Sequence, residues 1–240
     1  MKYPSGISRR LFLTLAAGAV AVPHNLFAES EVPSLLDHIL LGCNNLQGGI
    51  DFVEKHTGVR AQFGGVHPGR GTQNALLSLG ERRYLEIIAP DPAQPDVKNP
   101  LAPELRSLKE PRLVGWAVHP SDMNAFAGKL RAASVEFHGP TPGSRKRPDG
   151  RLLQWQTLGL ADDASGLLPF FIEWAPDSPH PSTDAPKGCT LLGFTAEVPD
   201  PAKLSARLEL LSLDLPVRKA DRSALRASIS GPSGRLDLSS

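Results

Sequence analysis

His38 and Glu86 are the two residues whose types and spacing best suit them to act together. His38 alternates with Leu36 and Leu40 in one apolar run, and Glu86 alternates with Tyr84 and Ile88 in another. Alternate residues of a strand share a face, so each polar group projects from an apolar surface. An ionised Glu there is costly unless it is paired or metal-bound. On neighbouring strands an imidazole and a carboxylate can grip one divalent cation, or they can simply hydrogen-bond to each other. Glu173 is a third candidate metal ligand. Glu86 and Glu173 are also the candidate catalytic groups, since either carboxylate can shuttle a proton or position water. Candidate substrate contacts are His67, Asn74, Arg147 and His180. His67 and Asn74 flank a glycine-rich turn and serve equally well to brace it. Arg147 belongs to a positive run with Arg145, Lys146 and Arg151, which attracts a carboxylate or phosphate or stays solvated. His180 stands between two prolines, either over a cleft or in an exposed linker. His119, before Pro120, reads as a structural or surface histidine.

The elements that must position these groups occur twice. Leu36 to Leu41 is a strand, and Asn44 or Asn45 caps a helix whose period is carried by Leu46, Ile50, Phe52 and Val53, with Gly58 as its stop. Arg60–Gly65, Asn74–Leu79 and Arg82–Ala89 read as strands, the last closing on Ala89-Pro90-Asp91. The second copy runs from a strand at Leu113–His119, through a helix capped by Ser121 or Asp122, to a strand at Val135–His138. A basic turn follows over Gly139–Gly150, then strands at Arg151–Thr157 and Leu168–Trp174, closing on Ala175-Pro176-Asp177. Repeated strand–helix–strands units must cover each other's apolar faces, and the cleft between them is a place for a small ligand. A third, incomplete unit spans 188–240: a strand at Thr190–Val198, a helix with Leu204, Leu208 and Leu211, and two strands around Gly231-Pro232-Ser233-Gly234. Trp116, Trp155 and Trp174 fall on strands and read as core.

The copies are not equivalent in chemistry. Seven residues before Asn45 stands His38, whereas seven before Asp122 stands Gly115, which has no ligand atom. Glu86 is three residues before Ala89, but Glu173 is two before Ala175. A one-residue slip turns a side chain to the other face unless a bulge corrects it.

A duplicated βαβββ unit with these residues resembles the glyoxalase-like branch of the vicinal oxygen chelate superfamily. The matching strings are Leu36-Asp37-His38, Gly64 through Asn74 with its His67-Pro68-x-x-Gly71-Thr72-x-Asn74 core, and Tyr84 through Ile88. In the second copy they are Gly115-Trp116-Ala117, Arg147 through Gly150, Pro169 through Trp174, and His180-Pro181. The resemblance covers about residues 35–182. It implies an α+β fold in which tandem βαβββ modules at 35–92 and 111–177 form a cupped mixed sheet, with the C-terminal βαββ unit at 188–240 packed on it. It also implies a small oxygen-rich ligand in the cup, and a divalent metal at His38, Glu86 and Glu173 for lyase, isomerase or dioxygenase chemistry. A metal-free binding protein is the alternative, favoured by Gly115.

Residues 1–28 read as an export signal. Arg9-Arg10 precedes an uncharged run from Leu11 to Val22 that is too short to span a bilayer, which takes roughly 20 residues. The arginine pair followed by Leu-Phe-Leu resembles a twin-arginine leader, and Ala28 suits the cut site, which places the mature protein in the periplasm or outside the cell. No later segment reads as membrane-spanning. The net charge of +1 gives no bulk attraction to nucleic acid, and no nucleotide-binding motif occurs. Cys43 and Cys189, the only cysteines, read as small buried residues rather than a disulfide.

Overall fold

A computed structural model of the chain describes residues 31–95, 97, 101–147, 149–161 and 166–240. The export signal read in residues 1–28 lies outside them. The elements follow as β1 Leu36–Gly42, α1 Leu46–Thr57, β2 Gln62–His67, β3 Thr72–Ser78 and β4 Tyr84–Pro90. Then come α2 Leu101–Ser107, β5 Arg112–Val118, α3 Met123–Ala132, β6 Phe137–Lys146, β7 Leu152–Leu160 and β8 Phe170–Trp174. The chain ends with α4 Pro181–Asp184, β9 Thr190–Val198, α5 Pro201–Leu210, β10 Val217–Lys219, β11 Ala224–Gly231 and β12 Gly234–Ser239.

The duplication reaches down to the helix caps. Asn45 accepts a hydrogen bond from Gly48 N at 2.9 Å, and Asp122 accepts one from Ala125 N at 2.8 Å, each satisfying a first-turn N–H. Gly58 ends α1 at φ 77°, a left-handed position that glycine fills without strain. The eight strands of the two copies form one sheet in the order β2-β3-β4-β1-β5-β8-β7-β6. β1 and β5 run antiparallel at its centre, and each pairs in parallel with the last strand of its own copy. The sheet curls until β6 approaches β2. A Cβ on Gly65 would lie 3.0 Å from Arg145 Nη1 and 3.3 Å from the Lys146 carbonyl, so the glycines of β2 are what permit this approach.

The outer face carries the main core. Ile50 and Val53 of α1 and Met123 and Leu130 of α3 pack there with Ile39, Leu41 and Trp116 of the central strands. The C-terminal residues form a second sheet, β10-β9-β11-β12, whose Phe194, Leu225 and Ile229 join the same core. The third unit therefore holds one more strand than the sequence indicates, the short β10. The inner face carries two smaller apolar clusters. Leu40, Ile88 and partly buried Phe170 lie under Leu105 of α2. Leu76, Tyr84 and partly buried Trp174 lie against Ala185, just after α4. Among the described residues no helix is long and apolar enough to cross a membrane.

Two expectations change. β6 continues to Lys146 where a basic turn from Gly139 was expected. Leu36 does not share a face with His38 and Leu40: it joins the outer core, whereas Leu40 lies in the cup. The cause is a register shift between Leu36 and His38 in the β1–β5 pairing, since an extra residue at a bulge re-aims its neighbours.

Candidate functional site

Glu86 lies at the centre of a buried polar group inside the cup, as strand geometry dictates. Glu86 of β4 pairs with Leu40 of β1 on one side and Leu76 of β3 on the other, and both face the cup. Its Oε1 accepts a hydrogen bond from Asn74 Nδ2 at 2.6 Å and lies 3.7 Å from His67 Nε2. Its Oε2 faces His38 Nε2 at 3.4 Å, longer than an ordinary hydrogen bond. Burial pushes the carboxyl up, but the charge of His38, the neighbouring His67 ring and the Asn74 bond outweigh it, and Glu86 ionises below its ordinary range.

The two imidazoles are held differently. Asn74 Nδ2 also reaches His67 Nε2 at 3.3 Å, and His67 Nδ1 lies 2.8 Å from Thr72 Oγ1. The consistent assignment is a neutral His67 that donates from Nδ1 and accepts at Nε2. Burial lowers its pKa accordingly. His38 instead donates from Nδ1 to Asp37 Oδ1 at 2.7 Å. It stacks on Tyr84 with ring centroids 4.5 Å apart and meets the edge of Phe170 at 5.4 Å. These contacts fix the ring so that Nε2 points at Glu86.

Asp37 had no role in the sequence reading, yet it anchors this arrangement. Wholly buried, it accepts at Oδ2 from His180 Nε2 at 3.1 Å and from Trp174 Nε1 at 3.2 Å. Burial acts to raise its pKa, but the bonds from His180 and His38, with their charges, hold it well below the usual carboxylate range. His119 Nδ1 lies 3.9 Å from the same oxygen.

The glyoxalase-like domain family matches residues 36–211. The chain belongs to this family. No curated protein matches it in sequence. Among solved structures, a hypothetical protein from Staphylococcus aureus is 17% identical with a TM-score of 0.59, covering 85% of this chain and 84% of that one. Methylmalonyl-CoA epimerase from Mycobacterium tuberculosis is 24% identical with a TM-score of 0.44, covering 63% of this chain and 95% of that one. At such identities the first likeness is one of fold alone, and the second is partial. The glyoxalase-like family is the one that the sequence motifs implied.

In this glyoxalase-like cup the sequence candidates separate. His38, His67, Asn74 and Glu86 converge, and His180 joins them through Asp37. Glu173 does not. Its neighbours Phe170 and Trp174 face the cup, while Phe171 packs outside against Phe126. Glu173 shares the outer face, where it accepts from the backbone N–H of Met123 at 3.1 Å and from Gln156 Nε2. The one-residue slip thus stands uncorrected, and the carboxylate supports the start of α3. Arg147 also turns away: it pairs with Asp184 at 2.7 Å and Asp149 at 3.3 Å, tying β6 to α4. Arg145 is the buried cation instead, 3% exposed.

A divalent cation would meet Nε2 of His38 and the carboxylate of Glu86. Glu173 is on the other face, and opposite Leu40 stands Gly115, whose Cβ direction is open for 4 Å. Among the described residues no group of three or more His, Cys, Asp or Glu side chains is placed to hold a metal. Two donors fall short of the three protein ligands of a catalytic zinc site, so the set expected at His38, Glu86 and Glu173 does not assemble. The donors present are suited to moving protons.

Proposed function

We propose that this glyoxalase-like protein binds a small oxygen-rich molecule in its cup and moves a proton on a carbon next to a carbonyl, with Glu86 as the base. The observation that carries this reading is the asymmetry of the Glu86 carboxylate. Oε1 is engaged by Asn74 at 2.6 Å, while Oε2 has only His38 Nε2 at 3.4 Å. That leaves an ionised oxygen with free lone pairs beside an imidazole that Asp37 has oriented. Glu86 Oε2 takes the proton from carbon, and the C–H electron pair moves onto the carbonyl oxygen. His38, which lies between the Asp37 and Glu86 carboxylates and carries a proton on each nitrogen, presents Nε2–H to the developing negative charge, because a carboxylate at Nδ1–H stabilises the positively charged ring. Return of the proton to the same face restores the substrate, delivery to the opposite face gives epimerisation, and delivery to the neighbouring carbon gives isomerisation. An acid–base group placed in this way contributes about 10²–10⁴-fold in rate.

The test is exchange of carbon-bound hydrogen for deuterium in D₂O, followed by NMR over a panel of 2-oxo acids, hydroxyketones and hydroxy acids. Wild type is expected to exchange at least one member, and Glu86→Gln to slow that exchange about 100-fold or more. An equal rate in Glu86→Gln rejects Glu86 as the base. Saturable binding without exchange in wild type rejects catalysis and assigns the cup to sequestration, the reading that Gly115 favours. The Arg9-Arg10 leader further supports a place for this activity outside the cytoplasm. N-terminal sequencing of protein from the periplasmic fraction tests that, with an intact Met1 as the contrary result.

A further inference from the structure

Two buried polar atoms beside Glu86 have no partner: Arg145 Nη1 and Asn74 Oδ1. One is a donor carrying positive charge and the other is an acceptor. Both face the space above Gly64, where a Cβ would stand 2.4 Å from Asn74 Oδ1 and 3.1 Å from Arg145 Nη1. The Asn74 amide is not free to turn over, because its Nδ2 is committed to ionised Glu86 at 2.6 Å. Among the described residues no carboxylate forms an ion pair with Arg145, although Arg147, two residues on, has two. Burying a guanidinium without a bonded anion is expensive. Arg145 also lines a cavity of about 60 Å³ with Gly64, Leu76, Pro181 and Ala185, room for a few water-sized groups.

A group that satisfies both atoms must present an anionic acceptor to Arg145 and a donor to Asn74 on neighbouring atoms. We propose that Arg145 and Asn74 form a subsite for a small hydroxycarboxylate, the carboxylate on Arg145 and the hydroxyl donating to Asn74 Oδ1. The inference rests on the reading of Glu86 as the base, and it names the class of molecule delivered to it. Arg145 binds and orients, and it takes no proton. The positive charge that Glu86 senses from Arg145 acts equally to hold a substrate anion and to stabilise the negative charge formed when a proton leaves carbon. A single water bridging the two atoms is the competing occupant.

The probe is glycolate, titrated by calorimetry into wild type, Arg145→Gln, Arg145→Lys and Glu86→Gln, with glycolamide as the uncharged analogue. Wild type is expected to bind glycolate saturably at millimolar concentrations, and glycolamide about tenfold or more weakly. Arg145→Gln should weaken glycolate by a similar factor, and Arg145→Lys by less. The comparison of glycolate with glycolamide needs no variant, so it decides the matter even if Arg145→Gln does not fold. No glycolate binding, the water-only outcome, overturns the proposal. So does equal affinity for the two probes, or unchanged affinity in a folded Arg145→Gln. Glu86→Gln should keep glycolate binding while losing exchange. Binding through Arg145 with no exchange in wild type therefore sinks the base reading alone, and exchange that ignores Arg145→Gln sinks the subsite alone.

Discussion

Replacing Asp37 by Asn removes a charge from the point where His38, His180 and Trp174 converge. Removing one partner of a buried charged pair costs about 3–5 kcal/mol. The amide oxygen can still accept the two N–H groups that now reach Oδ2, which argues for the lower end, about 3 kcal/mol. The new NH₂ then faces His38 Nδ1, where carboxylate and ring are 2.7 Å apart, and two donors cannot share that contact. His38 must then give up its Nδ1 proton and accept there, keeping only Nε2–H toward Glu86. For a domain of this size, 3 kcal/mol lowers Tm by about 6–12 °C. The pH dependence supplies a second number. The folded pKa of Asp37 lies below its unfolded value of about 3.9, so its stabilisation is complete above that value and is lost as pH falls. At pH 3 about 1 kcal/mol of it is gone, and the penalty of Asp37→Asn shrinks by that amount. Urea unfolding followed by circular dichroism at pH 7 and pH 3 measures both. A cost under about 1 kcal/mol at pH 7, or one that does not shrink at pH 3, refutes Asp37 as the electrostatic anchor.

Three other outcomes are expected. Gly64→Ala should cost about 1–3 kcal/mol in urea unfolding, because its Cβ would stand 2.4 Å from Asn74 Oδ1; Gly115→Ala, with nothing within 4 Å, should be neutral or slightly stabilising, and equal effects would refute the mapped crowding. His67 is held neutral by burial, so its folded pKa lies below the unfolded 6.5 or so; thermal melts should show a loss of stability as pH falls below that value, and His67→Gln should remove that part of the slope. Burial raises the Cys43 thiol to about 11 and also raises Cys189, and neither is paired; both should resist iodoacetamide in the native protein and react in urea, and rapid native labelling would contradict this.

The meeting of His38 and Glu86 was legible because it rests only on strand alternation and duplication, two regularities that survive folding. What broke those regularities was hidden. The bulge at Asp37 depends on how β1 pairs with β5, a non-local fact. Arg145 was masked because Gly139, Pro140, Pro142 and Gly143 signal a turn, whereas pairing with β7 carries the chain through them as strand. Gly143 lies there against the Trp155 ring, its Cβ direction 2.5 Å from Nε1. Glu173 shows the reverse: the period of the strand placed it outside, and the appeal of a second carboxylate pointed inward.

The C-terminal sheet settles whether the two βαβββ units are a portable module in this protein. Phe194 meets Trp116 edge-on at 5.2 Å, and a Cβ on Gly231 would touch the Thr57 carbonyl at 2.4 Å, so β9 and β11 are moulded to the duplicated core. A chain cut before residue 188 would strip cover from Trp116 and its apolar neighbours, at about 1.5–3 kcal/mol for each large side chain laid bare. Losses of that size exhaust the net stability of an ordinary domain within a few residues. Excising the cup for engineering would therefore yield an unstable fragment unless a substitute for the four strands β9–β12 were supplied with it.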